Sequence, residues 1–232
     1  MTMLALAFSH DFCVVAADRA VGNLNINSLN PTTDEATKLK LFNSTTMPFV
    51  ATAAGFAEAV ELVPNFVQNN PIESPTALTE LAQNLAASMK SALDEDTWSR
   101  THTTSCLLAL TTDNKFFVHA LYLNEETVLF SGYEPTKSVI PAGFCDPNHQ
   151  AHKERWQQAL TEAIMPCNTH YRTPLERLNQ VLQILSAAFQ ECASLNEFVS
   201  SNFDFCVITK PSRTISFNCI PNCALFAQNN AN

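Results

Sequence analysis

The sequence predicts a mixed α/β fold of four layers, with two stacked sheets and a helical layer on each outer face. Three observations carry this. The first two segments, 3–8 and 12–17, are apolar at nearly every position, as strands buried on both faces are. The elements run in blocks: strands, two helices, strands, two helices, strands. No internal repeat and no linker interrupts the 232 residues, so a single domain over 1–232 is expected, with a polar tail from about 226.

The first two strands, 3–8 and 12–17, turn at Ser9-His10-Asp11. A polar stretch from Gly22 to Glu35, with Asn23, Asn25, Asn27, Asn30 and Pro31, reads as a loop or irregular hairpin. Segments 38–42 and 48–53 form the next strand pair, around Asn43-Ser44-Thr45. A helix over 56–68 places Ala59, Leu62, Val63 and Phe66 on one face, and Pro64 must kink or break it. Ser74-Pro75 opens a second helix, with proline in the tolerated first turn and a stripe of Leu78, Leu81, Leu85, Met89 and Leu93. Strands follow at 104–110, 116–123 and 128–130, then helices at about 149–164 and 174–192. Strands near 203–209 and 214–220 close the pattern.

Composition excludes several function classes. Only 15% of the residues are charged, too few to cover a whole surface comfortably, which points to surface buried between subunits. With 13 basic against 22 acidic residues the formal charge is −9, and no Lys/Arg-rich run offers a grip on a phosphate backbone. No apolar run approaches the roughly 20 residues that cross a bilayer. The segment Met1–Phe8 has no basic residue and is too short for a signal peptide. A cytoplasmic protein without nucleic-acid or membrane partners is expected.

That setting favours reduced thiols. Cys13, Cys106, Cys206 and Cys219 fall in apolar strand-like runs, where free cysteine behaves as a small hydrophobe. The set Cys145, His149 and His152 and the pair Cys219 and Cys223 lack zinc-site spacing and a second ligand pair, so neither a metal nor a cofactor is expected. His149 and His152 belong on the wet side of a helix, and Cys219 and Cys223 at a strand end.

One constellation can carry chemistry. The chain opens Met1-Thr2 and enters a strand at once; the second strand ends Ala16-Ala17-Asp18-Arg19. Lys38-Leu39-Lys40 follows about twenty residues later, then Ala51-Thr52-Ala53-Ala54-Gly55-Phe56-Ala57-Glu58. This series resembles the opening of proteasome β-subunits and of the related bacterial heat-shock peptidase, and the element order extends the resemblance over nearly the whole chain. The resemblance implies an N-terminal-nucleophile hydrolase fold and a threonine peptidase, with Thr2 as nucleophile once Met1 is removed.

Elementary chemistry explains the grouping. A hydroxyl needs a base to become a nucleophile, and a free α-amino group, with a pKa of about 8, works near neutral pH. A neighbouring buried lysine lowers the amine's pKa, and the lysine needs a carboxylate to stay charged. Lys38 and Asp18 fit these roles; the choice of Lys38 over Lys40 rests on the resemblance and on Leu39. The resemblance further implies the Ala54 backbone N–H as oxyanion donor, where the family has glycine. It also implies Glu197 and Ser200 as residues that orient the Thr2 amine, from Glu197-Phe198-Val199-Ser200-Ser201-Asn202-Phe203-Asp204. A helper serine of the family falls on Pro141-Ala142-Gly143, where no hydroxyl stands. Thr52 and Phe56 are assigned to the substrate pocket.

Each feature has a plain structural reading. Asp18-Arg19 can be a strand-end ion pair, Lys38 and Lys40 alternate so that at least one faces solvent, and Glu197 with Ser200 can cap a turn. The joint pattern favours a peptidase acting on peptide or unfolded protein, assembled as a homo-oligomeric ring or spiral, and allows an ATPase partner. The rival expectations are a proteasome-fold scaffold of weak or no activity and an amidase on small substrates.

Overall fold

A computed structural model describes residues 2–20, 38–43, 48–54, 74–101, 105–111, 116–122, 128–132, 137–144, 146–165, 172–209 and 213–219. The expected loop over 22–35, the helix over 56–68, Cys145, Cys223 and the polar tail lie outside them.

Among the described residues ten strands form two five-stranded antiparallel sheets. They are β1 (Leu4–Phe8), β2 (Phe12–Asp18), β3 (Lys40–Asn43), β4 (Pro48–Ala54), β5 (Ser105–Thr111), β6 (Phe116–Tyr122), β7 (Val128–Gly132), β8 (Lys137–Ala142), β9 (Phe203–Thr209) and β10 (Arg213–Cys219). One sheet has the order β10-β9-β2-β1-β8, the other β3-β4-β5-β6-β7. The helices are α1 (Pro75–Ala92), α2 (Glu95–Thr101), α3 (Gln150–Ile164) and α4 (Pro174–Leu195).

The apolar runs of β1 and β2 are explained by what covers them. Successive side chains of a strand point to opposite faces. Met3, Ala5, Ala7, Phe12, Val14 and Ala16 pack under α3 and α4, against Leu160, Ile164, Leu185 and Phe189. Leu4, Leu6, Phe8, Cys13, Val15 and Ala17 pack against Val50, Ala109, Phe116 and Val118 of the second sheet. Both faces are therefore buried, and every residue of β1 and β2 is. In the cluster that holds Met3 and Ala5, the rings of Phe189 and Phe203 stack 4.4 Å apart. Helix α1 contacts β5, β6 and β7 of the second sheet.

The helix starts follow local chemistry. The Ser74 hydroxyl accepts the Ala77 N–H at 3.1 Å and caps α1 ahead of Pro75. Thr173 and Glu176 form a reciprocal capping box at the start of α4. Val181, Leu182, Leu185, Ala188, Phe189 and Cys192 then face the core, in helical spacing.

Three elements differ from the sequence reading. The strand expected from residue 38 begins its ladder at Lys40, opposite Ala51. Strand β8 was not anticipated, because Pro141 breaks the strand signal of a short run; it pairs with β1 at the sheet edge. Helix α2, whose sequence is mostly polar, has no apolar period to announce it. Asp94 precedes it, accepting the Thr97 N–H at 2.8 Å.

Candidate active site

The ladder between β1 and β2 delivers Thr2 to the site. The Asp18 N–H donates to the Met3 carbonyl at 3.1 Å, one step beyond the pair Leu4 and Ala17. Thr2 thus lies just past the start of β1, beside the end of β2. Lys38 enters from the segment before β3.

These three side chains meet. Lys38 Nζ donates to Thr2 Oγ1 at 2.7 Å and to Asp18 Oδ1 at 2.8 Å. Thr2 is 4% exposed, Asp18 0% and Lys38 5%, so bulk water does not screen the group. Such a charge is tolerable only when paired and fully hydrogen-bonded. Asp18 meets that condition. Its Oδ1 also accepts the Met3 N–H at 3.1 Å, and its Oδ2 accepts the N–H groups of Ala20 at 3.1 Å and Ser200 at 3.0 Å.

Burial pushes the Lys38 amine below its ordinary value, and the adjacent carboxylate works against that shift. Burial pushes Asp18 upward, against the attraction of Lys38 and the N–H donors from Ser200 and Ala20. The result is a short, dry ion pair whose cation also touches a hydroxyl. A donor of this kind stabilises negative charge developing on Thr2 Oγ1.

The other expected site residues are placed as follows. Ser200 reaches the site through its backbone N–H, while its hydroxyl accepts the Asn202 N–H at 3.0 Å. Glu197 is exposed, and among the described residues no hydrogen bond joins it to Thr2. It lines a separate cleft of about 490 Å³ with Asp146, His149, Asn196 and Phe198. Ala54 ends β4 opposite Ser105 and is buried. Thr52 is buried, with its hydroxyl donating to the Lys38 carbonyl at 3.1 Å. Phe56 lies outside the described residues.

The plain reading of Asp18-Arg19 as a pair with each other does not hold, because each side chain has another partner. Asp18 takes Lys38, while Arg19 Nη1 donates to Asp204 Oδ1 at 3.3 Å. His152 donates or accepts at Glu191 Oε1, 2.6 Å away, and Glu191 also takes Arg155 and Trp156. This links α3 to α4. Among the described residues no group of three His, Cys, Asp or Glu is arranged to hold a metal, and no helix is long and apolar enough to cross a membrane.

Sequence reasoning did not single out the N–H donors of Met3, Ala20 and Ser200. A backbone donor leaves no residue-type signature, so only the ladder geometry reveals it.

Solved structures share this arrangement of two antiparallel sheets and helices. The Anbu complex of Pseudomonas aeruginosa, solved as a helical assembly, superposes with a TM-score of 0.67 at 15% identity, covering 98% of this chain and 90% of that one. Anbu, an ancestral beta-subunit, from Yersinia bercovieri gives 0.66 at 12% identity, covering 96% and 88%. Eukaryotic HslV from Trypanosoma brucei gives 0.54 at 15%, covering 90% and 99%. At these identities the likeness is one of fold. No family model and no curated protein matches the sequence.

Proposed function

We propose that the chain is a threonine-type endopeptidase subunit whose nucleophile is Thr2 after removal of Met1. The observation that carries this is the contact of Lys38 Nζ with both Thr2 Oγ1 and Asp18 Oδ1, at 2.7 and 2.8 Å, in a buried site. Once Met1 is gone, the freed α-amine accepts the hydroxyl proton and Oγ1 attacks a peptide carbonyl. Lys38, held charged by Asp18, stabilises the ionising oxygen and keeps the amine neutral near pH 7. The Ala54 backbone N–H receives the oxyanion. The tetrahedral intermediate collapses to an ester on Oγ1, the leaving amine takes the proton, and water then hydrolyses the ester.

In this reading the chain is a single domain, and the four-layer αββα sandwich is complete, with α1 covering the outer face of the second sheet. It works in a homo-oligomeric ring or spiral with peptide or unfolded protein as substrate, and an ATPase partner supplies the unfolded chain where one is needed. Ser200 acts through its N–H on Asp18. Thr52 and Phe56 complete the proposed surroundings of Thr2, and Glu197, which lines the separate cleft, is left out of them.

A scaffold role is the alternative that the exposed Glu197 and the missing hydroxyl at Ala142 favour. Intact mass, native mass and peptide hydrolysis on one preparation separate the two. The peptidase reading expects a mass without Met1, an assembly of many 25.6 kDa chains, and hydrolysis lost in Thr2→Ala. A mature chain that keeps Met1, or equal hydrolysis by Thr2→Ala, overturns it.

A further inference from the structure

Lys38 reaches Thr2 and Asp18 from a segment that the sheet does not hold. The paired register of β3 and β4 begins at Lys40 opposite Ala51, two residues after Lys38. Beyond that point, continuing the register would set Leu39 opposite Thr52. There the contact comes from a side chain: Thr52 Oγ1 donates to the Lys38 carbonyl at 3.1 Å. Thr52 is fully buried, so no water competes for this bond. Lys38 is a long side chain with several rotatable bonds, so the placement of its ammonium depends on where its backbone is fixed.

We propose that Thr52 is a positioning residue: its hydroxyl clamps the Lys38 carbonyl and so sets the ammonium between Thr2 and Asp18. This rests on the peptidase reading above and gives Thr52 a different task from contacting substrate. Valine at 52 keeps the shape and loses the donor, leaving a buried carbonyl without its partner. Serine keeps the donor and loses a methyl.

The test is the rate at which a peptide epoxyketone labels Thr2 in the Met1-free assembly, followed by mass against pH. In T52V the rate falls about tenfold. Its pH midpoint also moves upward, because an ammonium held less closely no longer suppresses protonation of the Thr2 amine. T52S, which keeps the donor, labels faster than T52V and keeps the wild-type midpoint. A T52V profile that matches wild type overturns the proposal, and so does a T52S rate as low as that of T52V, which would mark a packing effect. Thermal unfolding checks that each variant is folded, and Thr52→Ala replaces T52V if that variant is not.

If the wild-type assembly takes no label, the peptidase reading falls, and crystal structures then judge the clamp alone. Displacement of Lys38 Nζ from Asp18 Oδ1 in T52V, from 2.8 Å in the parent, upholds it. An unmoved Nζ sinks it.

Discussion

Lys38 and Asp18 each suffer from burial, and each offsets the other's cost. Removing one partner is therefore worse than removing both. Lys38→Met leaves an unpaired carboxylate with only N–H donors, and the expected loss is about 3–5 kcal/mol at neutral pH by denaturant unfolding. The pH dependence has a definite sign. Burial holds the Asp18 pKa above its ordinary value of 3.8, and the variant lacks the lysine that opposed this. Between 3.8 and the folded value, the folded state binds more protons than the unfolded one, so stability falls as pH rises through that window. The deficit of Lys38→Met against wild type should accordingly shrink as pH falls from 7.5 to 5. A deficit that is constant across this range, or below about 1 kcal/mol, contradicts a dry and strongly coupled pair. The candidates at 2, 18 and 38 came from the resemblance and the chemistry it implies, and the three side chains lie together in the structure. Position 38 could not be separated from 40 by alternation alone. The ladder decides it, since it starts at Lys40 and leaves Lys38 free to turn inward.

At the scale of elements, α4 illustrates how start signals and packing differ in magnitude. Its extent from Pro174 was legible in the sequence, and the structure adds the capping box of Thr173 with Glu176 and the buried stripe that follows. Thr173→Ala removes an exposed cap and should cost about 1 kcal/mol. Phe189→Ala removes a fully buried ring stacked on Phe203, beneath β1 and β2, and should cost about 3–5 kcal/mol. Denaturant midpoints compare the two, and equal losses would contradict the assignment of α4 as a core-covering helix. Strand β8 shows where element-level reading stops. Its sequence, Lys-Ser-Val-Ile-Pro-Ala, has a proline and only a brief apolar pair. What makes it a strand is the neighbouring β1, a non-local partner that short-range pattern does not register. Helix α2 is too polar to signal itself by period, and its cap from Asp94 has the same form as an ordinary turn.

For the whole molecule, the two-sided burial of β1 and β2 ties fold to site. Strands that are apolar on both faces need a sheet on one side and helices on the other. That sandwich fixes the ends of β1 and β2, where Thr2 and Asp18 meet. The block order of strands and helices made this architecture readable at identities of 12–15% to solved structures of the same fold. Less readable was the surrounding shell. Ser200 contributes a backbone group, and Glu197 faces a neighbouring cleft, because both depend on how the turn after α4 closes through Asn196 and Val199. The central claim is that the hydroxyl and the freed amine of Thr2 act together under Lys38. The most direct measurement is mass-spectrometric mapping of the adduct that a peptide epoxyketone forms with the assembled protein. The expected result is one adduct per chain, on an N-terminal peptide that begins at Thr2 and is joined through both its oxygen and its nitrogen. A chain that carries no adduct, or carries it elsewhere, contradicts the account.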